Sequence, residues 1–390
     1  MRVLRRFVAA TALAGGTVAV ALGGALAGPA GASTRSQGDN HRTDRSGADH
    51  AVFVATDNVA GNQVVAFRRG DDGRLTPSGT YDTDGLGGSL TGAVVDRTAS
   101  QGALALDDEA GRLFAVNAGS DSVSVFSIHG DRLRLEQVVA SGGSFPVSIA
   151  THDHLVEVLN ARDGGSVQGF REFAGRLIPI PGSNRPLGLN PTATPEFTHT
   201  PGQVTFSPDG SQVLVTTKAG SNAVDTFAVR WDGRLSATPT VTTFPGDVPF
   251  AITFDRAGHA VIALAGSNAV ATAKLHRNGT LSVIESSPTG QAATCWIVRA
   301  GNRFYASNAG SASLTGFDGD RAGHLSVIGN TATDAGTVDA AATPDGRFVY
   351  VQGGKAGVVD GFAVNADGTL TPVGTQTVPG AAGAEGIVAI

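Results

Sequence analysis

The chain has 390 residues, 41% apolar and 16% charged, a balance that excludes a disordered protein and fits a globular one. Its net charge of −6 leaves no basic footprint for nucleic acid phosphates or for an anionic membrane surface. A single cysteine, Cys295, excludes an intramolecular disulfide.

In chain order, Arg2, Arg5 and Arg6 precede an apolar, alanine-rich run from Phe7 to Leu26. Small residues follow at Ala25-Leu26-Ala27 and Ala30-Gly31-Ala32. This is the layout of a secretory signal over residues 1–32, so a secreted, extracellular protein is expected, with no membrane insertion after cleavage. Residues 33–49 carry Arg35, Asp39, Arg42, Asp44 and Arg45 with little apolar content, and read as a disordered polar linker.

From residue 50 to 390 the chain repeats itself. A glycine turn followed by leucine recurs seven times, at Gly73/Leu75, Gly130/Leu133, Gly175/Leu177, Gly233/Leu235, Gly279/Leu281, Gly323/Leu325 and Gly368/Leu370. The leucine spacings of 58, 44, 58, 46, 44 and 45 describe a unit of about 45 residues with two insertions. An aromatic precedes most of these turns (Phe67, Phe126, Phe170, Phe227, Phe317, Phe362), with Leu275 in its place in the fifth unit. Ser207-Pro208-Asp209-Gly210 and Thr343-Pro344-Asp345-Gly346 are hairpin turns between apolar runs. Each unit therefore holds four short strands. Radial repetition of such units predicts an all-β fold, a seven-bladed β-propeller. Ala51–Ala55 reads as a blade's second strand and 385–390 as a first strand, so the C-terminal strand is expected to join the N-terminal blade and close the ring. Closure removes the sheet edges that proteins avoid exposing.

The Val-Asn-Ala-Gly-Ser run at 116–120, the Ser-Pro-Asp-Gly turn and the Asp-Gly-x-Leu runs at 232–235 and 367–370 resemble the YVTN repeat and the lactonase family of seven-bladed propellers. The resemblance covers residues 50–390. It implies phosphogluconolactonase-like or carboxymuconate cyclase-like chemistry, carried by His, Arg and Glu at the channel mouth. Position by position, those groups are missing. The fourth blade's His-x-His-Gln appears as His199-Thr200-Pro201-Gly202-Gln203, and the fifth blade's Pro-Arg-His as Pro249-Phe250-Ala251. The acid ending the fifth blade's second strand falls at Ala265 or Gly266. The sixth blade reads Ala292-Ala293-Thr294-Cys295-Trp296 where a Glu is expected, and Ser307-Asn308-Ala309-Gly310 where Ser-Asn-Arg-Gly is expected.

Lactone opening needs a base for water and a donor for the developing oxyanion. Without them a non-catalytic binding propeller is expected, for a small-molecule, glycan or protein ligand at the loop face. The alternative is a lactone hydrolase with a rearranged site. Its catalytic candidates are His199, Asp339 and Glu385, the last two as a carboxylate pair at the start of inner strands. The ligand-binding candidates are Arg162, Lys218, Lys355 and Gln203. Arg97 and Arg185 would join Arg162, Lys218, Lys355 and His199 in a cationic rim. The insertions near 83–100 and 181–201 share that face, where function tends to lie. His152-Asp153-His154 falls in a turn on the opposite face and lacks a third metal ligand. No phosphate-binding glycine loop or nucleophile elbow is found, so no cofactor and no metal are expected. A monomer is expected.

Overall fold

The computed structural model describes residues 50–390, which lie in one compact unit spanning Arg45–Ile390. The signal at 1–32 and the linker at 33–49 lie outside the described residues.

Seven antiparallel sheets form the seven blades, each built outward from an inner strand. The inner strands of blades 2 to 7 are Leu104–Asp107, Pro146–His152, Gln203–Phe206, Pro249–Phe254, Thr294–Ala300 and Thr337–Ala342. Blade 1 takes its inner strand from the chain's end. Ile387–Ala389 pairs antiparallel with Ala51–Ala55, with Val52 opposite Ala389 and Val54 opposite Ile387. The expected ring closure is therefore present, and six of the blades have four strands. In blade 3 the outer strand is split, and Arg176–Pro179 and Arg185–Pro186 both pair with Ser166–Phe173.

The alternating strands place apolar side chains on both faces of each blade, because each blade is covered by two neighbours. Buried apolar residues accordingly gather at the seven blade interfaces. Phe53 and Ala55 of blade 1 meet Leu113 and Phe126 of blade 2. Val52 and Phe67 on the other face of blade 1 meet Phe348 and Tyr350 of blade 7. The recurring turn glycine has a physical cause at Gly73. Its φ is +81°, and a Cβ there would lie 2.2 Å from the Phe348 ring of the neighbouring blade. Gly368 repeats the arrangement against Arg303 and Ile328.

The loops joining the second and third strands of each blade and the connections between blades share one face, called here the mouth. Both insertions lie on it. Residues 83–103, between blades 1 and 2, fold back over the channel as a strap. Residues 180–202, between blades 3 and 4, contain the short helix Glu196–His199. The two are joined: Glu196 accepts the Thr91 amide at 2.7 Å and pairs with Arg162 of blade 3 at 2.7 Å. Among the described residues no helix is long and apolar enough to cross a membrane.

Candidate functional site

The strap is held by bonds to blades around the ring. Arg97 donates its amide to the Gly383 carbonyl beside blade 1 and a guanidinium hydrogen to the Asp57 carbonyl. The Ala99 carbonyl accepts Lys218 Nζ of blade 4 at 2.6 Å, and the Ser100 carbonyl accepts Trp296 Nε1 of blade 6 at 2.5 Å. Gln101 exchanges two 3.0 Å hydrogen bonds with the backbone of Ile297, in the inner strand of blade 6. Gln101 belongs to the approach to blade 2, so this pair spans the channel.

Beneath the strap, four buried carboxyl groups meet where the ring closes. Glu385, fully buried, accepts the amides of Gly102 at 2.6 Å and Ala103 at 3.2 Å, with the Ser100 hydroxyl at 3.2 Å. Its own amide donates to Asp57 at 2.8 Å. Asp339, in the inner strand of blade 7, accepts the Ala340 amide at 2.9 Å and stands close enough to Glu385 for its charge to raise that carboxyl. Asp96 accepts the Thr98 amide and hydroxyl on one oxygen, both at 2.8 Å, and the Ser100 amide on the other at 2.9 Å. Burial is the main cause that pushes Asp57 and Asp339 up to about 7 and raises Asp96 and Glu385; for Glu385 the charges of Asp339, Asp96 and Asp57 add to it. Asp339 and Glu385 thus stand together, but they latch blade 7 to blade 1 and blade 1 to blade 2, away from solvent.

The remaining candidates separate. His199 lines a cavity of about 140 Å³ with Arg162 and Glu196, and its Nδ1 lies 2.9 Å from the Pro195 carbonyl. Arg162 stacks over Phe145 at 4.2 Å. Gln203 accepts the Ile252 amide at 2.6 Å, latching blade 4 to blade 5. Lys218 is buried, with Nζ bonded to the carbonyls of Ala99 and Phe197 and to the Thr200 hydroxyl; desolvation lowers it to about 7. Arg185 donates to the carbonyls of Leu235 and Ser236 in blade 4. No continuous cationic rim forms, because most of these cations hold loops in place. Lys355 is exposed and, among the described residues, has no ion-pair partner. In the turn on the opposite face, His154 lies 3.8 Å from Glu172, and no group suited to a metal occurs among the described residues.

Beside the strap the mouth opens into a cavity of about 580 Å³. Val94, Val95, Asp96 and Ala99 of the strap form one wall, Phe197 and Phe250 another. Blades 6 and 7 contribute Ala293, Cys295, Trp296, Ala309, Gly310 and Lys355, among others. Phe250 and Trp296 pack with ring centroids 4.8 Å apart. Of the positions read as replaced, Phe250, the Ala293, Cys295 and Trp296 side chains of the sixth blade and Ala309 line this cavity, whereas Gly202, Ala265 and Gly266 do not. Sequence reasoning had found them as losses; it had missed Asp57 and Asp96, which sit in turns without a recognisable motif. Burial pushes the Cys295 thiol up to about 12, which disfavours its thiolate form.

The model of the family "Lactonase, 7-bladed beta-propeller" matches residues 188–384. Among solved structures, the chain is similar to a protein of Bacteroides uniformis provisionally assigned as a 6-phosphogluconolactonase. The two are 19% identical with a TM-score of 0.72, over 88% of this chain and 100% of that one. A protein of Bacteroides fragilis with the same provisional assignment is 19% identical, TM-score 0.71, over 90% and 100%. The periplasmic gluconolactonase of Pseudomonas aeruginosa is 20% identical, TM-score 0.67, over 84% and 96%. These likenesses carry the fold. No curated protein matches the chain.

Proposed function

This chain belongs to the lactonase family of seven-bladed β-propellers, and on that premise we propose that its mouth cavity binds a small molecule without hydrolysing it. One observation carries the proposal: the cavity where Phe250, Trp296 and Ala309 converge offers no free base, and its one cation, Lys355, stands at the exposed rim. Its single acid, Asp96, has both oxygens engaged by Thr98 and Ser100. The Asp339–Glu385 pair lies under the strap, where no substrate carbonyl reaches it. General-base catalysis requires the base within hydrogen-bond reach of the water it activates. The basic and then apolar start of the chain supports export, so the ligand would be met outside the cell by a monomer.

A second reading, hydrolysis of a lactone, is favoured by a specific feature. Asp96 lines the cavity, and the Thr98 hydroxyl lies between it and Glu385, so a carboxyl of the buried cluster borders the opening. Acid release by the full chain, measured on glucono-δ-lactone and on a muconolactone, separates the two. Release at the uncatalysed rate is expected. Turnover above that rate, lost in Asp96→Asn or Glu385→Gln, would overturn the binding proposal and establish the hydrolase.

A further inference from the structure

We infer that the ligand of the mouth cavity is an apolar monocarboxylate, its body against Trp296 and Phe250 and its charge on Lys355; this rests on the binding reading above. The inference comes from which polar side chains of the cavity remain available to a guest. Trp296 Nε1 is given to the Ser100 carbonyl. The Gly310 amide is given to the Ala292 carbonyl. The Asp96 oxygens receive three bonds from the strap. The Cys295 thiol stays protonated and is a weak donor. Among the lining side chains, what remains is the Lys355 ammonium, exposed at the rim and without an ion-pair partner among the described residues, beside walls of Val, Ala, Phe and Trp side chains.

A sugar lactone or sugar phosphate fits this lining badly. Each hydroxyl taken from water without a partner costs about 1–3 kcal/mol. A phosphate would find one cation, whereas phosphate sites gather several donors, commonly a planar arginine fork. An aliphatic or aromatic acid meets the opposite conditions. Its body loses apolar surface to water at about 25 cal/mol per Å², and its single charge meets a single ammonium. A volume of about 580 Å³ lies in the ordinary range for small-molecule sites and admits a body of ten or more carbon atoms.

The chain has two tryptophans, and the other, Trp231, is 92% exposed on a turn of blade 4. Trp231→Phe therefore leaves Trp296 as the reporter in an otherwise unaltered full chain. Fluorescence titrations in that background, repeated by calorimetry, would use decanoate, 1-decanol and gluconate below any micellar concentration. Decanoate is expected to change Trp296 emission saturably, and Lys355→Met to weaken it at least 10-fold. Decanol is expected to bind more weakly, with no response to Lys355→Met, and gluconate to leave the emission unchanged. Gluconate binding in place of decanoate would overturn the inference, as would equal binding of decanoate and decanol or silence from all three. None of these results produces lactone turnover, so a failure here is distinct from a failure of the binding reading.

Discussion

Two neighbouring regions of the mouth face use their side chains in opposite ways. Under the strap, polar and ionisable groups are crowded, buried and paired with one another or with backbone amides. In the adjoining cavity the walls are apolar and a single cation stands open at the rim. Asp96 belongs to both regions, yet its oxygens turn to the strap. The comparison shows that an acid near a propeller's channel is not thereby a catalytic acid. Glu385 and Asp339 do structural work: they join first blade, second blade and last blade where the first and last described strands close the ring.

The largest expected effect tests that structural role. Glu385→Ala strips the partner from the Gly102 and Ala103 amides and the Ser100 hydroxyl. Unmet buried donors cost about 1–3 kcal/mol each, so a loss of about 4 kcal/mol in urea unfolding is expected. Glu385→Gln keeps an acceptor and should lose less than half as much. Equal losses in the two variants would remove the latch from the explanation.

Next in size is the pH response. Asp57 and Asp339 titrate near 7 in the folded chain and near 3.8 when unfolded, and Glu385 is raised as well. The folded state therefore holds protons that the unfolded state releases above about pH 4. Stability from these groups is present at low pH and is lost as pH rises towards and through 7, at up to about 1.4 kcal/mol per pH unit for each proton. Lys218, lowered to about 7, acts with the opposite sign between 7 and 10.5, which confines the decline to the acidic side. The urea midpoint should fall from pH 4.5 to 7.5, and Asp339→Asn with Glu385→Gln should flatten the slope. A midpoint that rises across this window would mean that the cluster is ionised.

A smaller effect is expected from Lys218→Met. It leaves the carbonyls of Ala99 and Phe197 without a donor while removing a buried charge, so a net loss of about 2 kcal/mol is expected in urea unfolding. A change below about 0.5 kcal/mol would show that the strap is held without this lysine.

The sequence carries the ring more openly than the site. Seven Gly-to-Leu turns and a final segment, 385–390, that reads as a blade's first strand are periodic signals, because each blade solves the same packing problem against the next. The apolar replacements Phe250, Ala309 and Trp296 were also legible, since they occupy repeat positions where another residue is expected. The strap was visible as an insertion, but its path was not. It is fixed by single carbonyls, Ala99 on Lys218 and Ser100 on Trp296, and a backbone carbonyl leaves no mark in a sequence. For the same reason Lys218 read as a rim cation, although its ammonium is enclosed by two carbonyls and a hydroxyl.

Amide hydrogen exchange at Gly102 and Ala103 in the full chain tests most directly whether the carboxyl cluster is closed to substrate. Both amides donate to Glu385, so they report on the seal itself. Protection approaching that of the blade cores, with an opening free energy near that of global unfolding, is the expected result. Exchange many orders of magnitude faster than in the cores would mean that the strap lifts from the native ring, that Glu385 and Asp339 come within reach of a bound lactone, and that the cavity is the entrance to an active site.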